Sequence, residues 1–335
     1  MNCQTIALLL CFKYTFANTH DLRMNLFNNY INMYNKNYTE STYEQRYAIF
    51  SENLKYINYL KDQHPHLQFD INEYTDLMPH EFEFDSKGWN RNSHTIKLSK
   101  TKGCKQYMDT SNITNLPKSW DWREHNAVTS VKNQGQCGSC WSFSATAAME
   151  GAWAISTGNL IDLSEQQVMD CSSKYINFGC NGGEMDHAFD YAIDNGMCLD
   201  EDIPYNAVSQ ACSDEEKKCN KVADFLYCMD VTPNNEQVLM QAVYETPVSV
   251  AIEADVRVFQ FYSGGIIDSS TCGTSLDHGV VIVGYGTEED KDYWIVKNSW
   301  GEDWGENGYV RIARSSSTTD NGVCGIAMMP SFIVA

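Results

Sequence analysis

Residues Gln134-Gly135-Gln136-Cys137-Gly138-Ser139-Cys140-Trp141 carry a cysteine through a glycine-bearing turn onto a run of apolar residues. A cysteine attacks as the thiolate, and a seat at a helix N-terminus beside a histidine supplies the dipole and the cation that lower its pKa. The stripe Trp141, Phe143, Ala145, Ala148, Met149, Trp153 and Ile155 predicts that helix, buried and beginning at Cys140. Gln134 lies upstream, where its amide can aim N–H groups at an oxyanion. Two further segments hold what such a nucleophile needs. Leu276-Asp277-His278-Gly279-Val280 offers an imidazole, and Lys297-Asn298-Ser299-Trp300-Gly301 offers an amide able to fix its tautomer. Taken singly, His278 reads equally as a satisfied core histidine and Asn298 as a turn residue. Cys137 and Cys140 also read as a redox dithiol or half a zinc site. Against that, no second closely spaced Cys or His pair completes a metal cage, and no βαβ pattern flanks them. No metal and no cofactor is expected.

A fold must bring these distant groups together. After Leu116-Pro117 the pattern reads as a helical half, with the helix at Cys140 followed by helices over Leu163–Asp170 and Met185–Asn195. A β half follows, in short β-branched or aromatic runs punctuated by glycine: Val248–Ile252, Gly279–Tyr285, Tyr293–Lys297 and Gly308–Ala313. The fold class is therefore α+β. Ahead of it, Leu26, Tyr30, Met33, Tyr34, Tyr43, Tyr47, Phe50, Leu54 and Ile57 recur at helical steps and predict amphipathic helices. From Asp85 to Asn115 the sequence turns polar and aperiodic, as an exposed linker does, and a proteolytic cut belongs there.

The 335 residues suffice for a catalytic unit plus an appended segment. With 43% hydrophobic residues and no apolar run of about eighteen or more, no membrane span is expected. Thirteen cysteines point to an oxidising compartment, and the odd count leaves at least one thiol outside a bridge. The apolar run Ile6–Phe12, ending near Ala17, reads as a signal peptide over residues 1–17. Asn37 and Asn112 head glycosylation sequons usable on that route. Residues 1–115 hold 12 of the 24 basic and 12 of the 44 acidic residues, so the remainder carries the whole net charge of −20. Such self-repulsion argues against nucleic acid or an anionic membrane as partner and eases at acidic pH.

In their order, the segments around Cys140, His278 and Asn298 resemble those of the papain and cathepsin family, a likeness that runs from Tyr43 through nearly the whole chain. The resemblance implies a papain-like protease over 116–335, whose helical and β-barrel-like halves meet at a cleft, behind an inhibitory prosegment and linker over 18–115. By it, Cys140 attacks the scissile carbonyl, and His278 forms an ion pair with it and later protonates the leaving amine. Asn298 would hold the other ring nitrogen of His278 under the cover of Trp300, and Gln134 with the N–H of Cys140 would form the oxyanion hole. Bridges Cys137–Cys180, Cys171–Cys212 and Cys272–Cys324 are implied by the family, spacing alone leaving connectivity open. Cys198, Cys219 and Cys228 then lack family partners; a bridge between two of them, with the third free, is expected. Met185, Ala251, Leu276, Gly279 and Met329 fall at lining positions of the family's main specificity pocket, although each also reads as core packing. All are apolar or small, so Leu, Phe or Val is expected at P2, two residues before the scissile bond. Gly182 and Gly183 would let a substrate backbone approach, and Trp304 joins Trp300 in the substrate-binding set.

The front unit resembles the inhibitory prosegment of cathepsin L-like precursors through Arg46, Ile49, Phe50, Asn53 and Ile57, with Thr42 and Lys61 departing from the pattern. Asn72, Tyr74 and Asp76 match its second motif, with Asp70 where glycine is usual. Such a segment lies reversed through the cleft and silences the enzyme until acid loosens its ion pairs. Cys180 to Tyr205 holds no long histidine-bearing insertion of the cathepsin B kind, which favours an endopeptidase. A catalytically dead relic is the rival reading, and the intact Cys140 opposes it. The phrases from Val128 to Asn133 and from Leu160 to Gln167 also resemble viral cathepsins of insect baculoviruses. The expectation is a monomeric zymogen that acts on proteins and peptides, with its own prosegment as intramolecular inhibitor. It would travel the secretory route to a lysosome-like compartment or out of the cell, or lie in the host cell's ER or outside it if viral.

Overall fold

The computed structural model describes residues 21–86, 103–107, 116–269 and 271–335. The expected leader, Asn112 and most of the expected linker lie outside the described residues; Asn37 is exposed.

Two helices open the molecule, α1 (21–33) and α2 (Glu40–Gln63). The residues that face inward from α2, Ile49, Phe50, Asn53, Ile57 and Leu60, recur at three- and four-residue steps, which puts them on one side of a helix. Phe50 meets Phe27 and Tyr30 of α1 at ring distances of 5.2 and 4.9 Å, a small core of the front unit's own. Strand β1 (Leu67–Phe69) and helix α3 (Pro79–Ser86) complete this unit. Between them the chain is held by Asn53, whose amide donates to the carbonyls of Thr75 and Leu77 at 2.8 and 2.9 Å. Arg46 clasps Glu81 with two hydrogen bonds of 2.8 and 2.9 Å, while Asp76 accepts from Tyr30 and Tyr38.

Strands β2 (Lys105–Tyr107) and β3 (Trp120–Asp121) precede the helical half. That half comprises α4 (Cys140–Thr157), α5 (Glu165–Cys171), α6 (Met185–Asn195) and α7 (Asp214–Lys218). Helix α4 is apolar nearly all round and is accordingly buried. It stops at Gly158, whose φ of 76° is the left-handed geometry that glycine adopts without cost. Ser164 caps α5 by accepting from the Gln167 N–H, and Ser213 with Glu216 forms a reciprocal capping box on α7.

The second half holds β4 (Tyr227–Val231), α8 (Glu236–Glu245), β5 (Val248–Ile252), α9 (Arg257–Phe261) and β6 (Tyr262–Ile267). Strands β7 (His278–Glu288), β8 (Lys291–Lys297), β9 (Tyr309–Ala313) and β10 (Ser331–Val334) complete it. Among the described residues they form one sheet in the order β1-β6-β9-β8-β7-β5-β10-β4-β2, with β3 paired to β7. The front unit thus covers one edge, through β1 on β6, and β2 covers the other, on β4.

Two expectations change here. Residues 103–107 are not an exposed linker: Tyr107 is buried and Cys104 is bonded to Cys228. Nor is any of Cys198, Cys219 and Cys228 free, since Cys198 pairs with Cys219. The reading overlooked Cys104 because its polar neighbours mark it as linker. The bridges Cys137–Cys180, Cys171–Cys212 and Cys272–Cys324 are present, and Cys140 is the cysteine outside a disulfide among the described residues.

Candidate active site

The turn before Cys140 is pinned from both sides. The Cys137–Cys180 bridge and a Gly138 N–H to Cys180 carbonyl bond of 3.1 Å tie it to the helical half. The Gln134 N–H donates 2.8 Å to the Ser299 carbonyl, and Asn133 bridges to Trp300, tying it to the loop after β8. Because Cys137 is spent in this bridge, it cannot partner Cys140, which removes the redox-dithiol reading. Cys140 is the first residue of α4 and is fully buried. Its sulfur therefore sits at the end of the helix where N–H groups point outward, a setting that favours the thiolate.

Strand β7 brings the histidine. His278 opens the strand, paired with Ile252 of β5, and is fully buried. The next residue, Gly279, donates its N–H to the Cys140 sulfur at 3.2 Å. A Cβ on Gly279 would stand 3.2 Å from the Trp141 Cα and 3.3 Å from the Cys140 carbonyl oxygen, so glycine is what lets strand meet helix. Asn298 Oδ1 lies 2.7 Å from His278 Nε2. An amide oxygen only accepts, so Nε2 carries the proton in this contact. Trp300 tilts over the imidazole with ring centres 4.7 Å apart. Trp304 is fully buried in the precursor, donating 2.9 Å to the Phe259 carbonyl and meeting Trp300 edge-on with ring centres 4.9 Å apart.

Gln134 is buried beside them. Its Oε1 accepts from the Ser299 hydroxyl at 2.7 Å and its Nε2 donates to the Cys137 carbonyl at 2.9 Å, which fixes the amide with N–H groups as its active edge. Reading the sequence missed Tyr205, whose hydroxyl lies 2.6 Å from Ser139 Oγ and donates 2.7 Å to the Gln134 carbonyl. It also missed the charges beneath. Lys132 meets Glu165 at 2.7 Å, Glu150 at 3.4 Å and Asp162. Burial pushes the Glu165 carboxyl up, against the pull of Lys132 and with the push of Glu150. Lys297, buried close by, donates 2.9 Å to Thr129, which in turn donates 2.6 Å to Glu150, so a second cation borders the cluster. The signal was a lysine two residues before Gln134 with acids on neighbouring helices.

Met185 and Met329 line one cavity of about 140 Å³, together with Glu184, Val231 and Pro233. Ala251 and Leu276 belong to the same apolar cluster as Met185, whose sulfur stands 3.3 Å from a Cβ built on Gly279. Gly182, at φ 99°, needs glycine for its backbone, and Gly183 needs it for space, since a Cβ would lie 2.7 Å from the Trp141 ring.

The front unit covers this region. Tyr74 and Phe82 pack edge-on against Trp300 at 5.8 and 5.3 Å, and Glu73 accepts from Asn133 at 3.0 Å. Asn72 donates 2.6 Å to the Gln260 carbonyl, whose own amide donates 3.0 Å to the Tyr74 carbonyl. Asn53 accepts from Arg257 at 2.6 Å. Residues 87–102 and 108–115 of the expected prosegment lie outside the described residues.

Comparison with known proteins agrees with this geometry. Residues 116–334 match the papain family cysteine protease domain, and residues 27–82 match the cathepsin propeptide inhibitor domain. The chain belongs to the papain family of cysteine proteases, with a propeptide inhibitor domain ahead of its protease domain. It is 46% identical over 294 residues to oryzain beta chain from Oryza sativa subsp. japonica, covering 87% of this chain and 61% of that protein. It is 43% identical to cysteine protease XCP2 from Arabidopsis thaliana over 94% of this chain and 87% of that protein. The solved structure of recombinant stem bromelain precursor superimposes with a TM-score of 0.84 at 36% identity, covering 93% of this chain and 98% of that one.

Proposed function

We propose that the chain is the zymogen of an endopeptidase that cleaves proteins and peptides through an acyl-enzyme on Cys140. The contact of the Gly279 N–H with the Cys140 sulfur carries this reading, because it sets the residue after His278 against the nucleophile while Asn298 engages Nε2. Cys140 attacks as a thiolate and His278, through Nδ1, takes the thiol proton and later gives it to the leaving amine. Gln134 Nε2 and the Cys140 backbone N–H receive the developing oxyanion. The cavity of Met185 and Met329 takes a hydrophobic P2 side chain. Tyr74 and Phe82 on Trp300 hold the front unit against the cleft, and acid releases it. The five disulfides among the described residues support a secretory route, and the acidity of the protease domain opposes nucleic acid as a partner.

The test is thiol labelling. After acid activation an epoxide peptide inhibitor is expected to modify Cys140 alone, and Cys140→Ala to remain an intact precursor. Unlabelled protein after activation, or continued self-processing by Cys140→Ala, sinks the assignment.

A further inference from the structure

Residues 103–107 fall where a severable linker was expected, yet they are fastened to the protease domain along their whole length. Cys104 is bonded to Cys228, and β2 pairs in parallel with β4, Lys105 against Met229, Gln106 against Asp230 and Tyr107 against Val231. The Tyr107 ring meets Phe332 edge-on at 5.3 Å, and its hydroxyl donates 2.9 Å to Glu245. Lys105 Nζ stands 3.9 Å over the Tyr227 ring. The inhibitor unit, by contrast, is held non-covalently among the described residues, by hydrogen bonds, apolar packing, the His66–Asp268 pair and Arg257 over the Tyr56 ring.

Gln106 also borders the cavity of Met185 and Met329, where its amide donates 3.3 Å to Asp230 Oδ2. We propose that residues 103–107 stay on the active enzyme as a disulfide-held edge strand, and that Gln106 forms the outer wall of the pocket for the P2 side chain. The second half rests on the pocket reading given above. Peptide-bond hydrolysis leaves the disulfide untouched, so the position of the cut decides the outcome. A cut between Tyr107 and Leu116 leaves the inhibitor tethered through Cys104 at high local concentration. Only a cut before Cys104 lets it leave, and that cut keeps the strand.

Intact mass of the acid-activated enzyme, measured before reduction, is expected to include Gly103–Tyr107. A downstream cut as well would make that peptide leave on reduction. Active enzyme that already lacks it before reduction overturns the tether. For the wall, Gln106→Ala should raise, and Gln106→Trp lower, the kcat/KM ratio for Phe over Val at P2, each by about threefold. Met329→Ala is the control for the pocket itself. If Met329→Ala moves the ratio and both Gln106 variants leave it unchanged, the wall is overturned and the pocket stands. If none of the three moves it while Cys140 still takes the epoxide, the pocket reading fails and the wall with it, but the protease reading does not.

Discussion

Asn298 offers His278 an oxygen at 2.7 Å, and in the proposed mechanism that contact selects which ring nitrogen serves the sulfur. Removing it in Asn298→Ala frees the imidazole to flip, so kcat/KM for a peptide substrate is expected to fall about 10²-fold, with a narrowed pH profile. Gln134→Ala deletes one donor of the proposed oxyanion hole and should cost about 10²-fold in kcat while KM stays nearly constant, as steady-state kinetics will check. These residues were legible in the sequence because each sits in a short segment whose neighbours are constrained too: Gly279 by the approach to Trp141, Ser299 by its bond to Gln134. Tyr205 and Lys132 were not legible. A lone tyrosine or lysine has no pattern of its own, and only the folded chain puts Tyr205 on Gln134 and Lys132 among three carboxylates.

The elements carrying the site obey local rules that a sequence exposes well. The helix at Cys140 and the strand Val248–Ile252 stand where apolar spacing put them, and Met185–Asn195 is a helix from end to end. Short strands such as Tyr262–Ile267 and Ser331–Val334 were unread, because so few residues give alternation no length in which to show and their pairing is set by distant partners. Gly183 was read as room for a substrate backbone, and the Trp141 ring gives a second reason from inside. Gly183→Ala is therefore expected to destabilise the precursor by about 1–3 kcal/mol in thermal denaturation, even with the cleft covered.

On the scale of the whole molecule, pH acts on Glu81 and Asp170 in opposite senses. Burial pushes Glu81 up, but Arg46 and the Met78 N–H outweigh it and hold the carboxyl below its usual range. A depressed carboxyl stabilises above its unfolded pKa and is lost only as pH falls through the lower folded value, so this clasp yields late in acid. Glu81→Gln removes it at every pH and should let the precursor activate at higher pH than the parent, followed by appearance of the processed band. Asp170 behaves the other way: burial first, then Glu216, raise it to about 6 from 3.8. Its contribution is fully present below about 3.8 and is lost as pH rises through about 6. The mature protease should accordingly melt at a higher temperature at pH 4.5 than at pH 7, and Asp170→Asn should flatten that slope. The covering of the sheet at both ends has one more consequence. A strand border with unpaired amides is a template for sticking to other chains. The precursor ends the sheet in two three-residue strands, Leu67–Phe69 over the longer β6 and Lys105–Tyr107 over β4. Borders so short offer little template, so the segment that muzzles the enzyme should also keep the chain from clumping. Refolding a chain trimmed to residues 103–335 should scatter light where the full precursor stays clear.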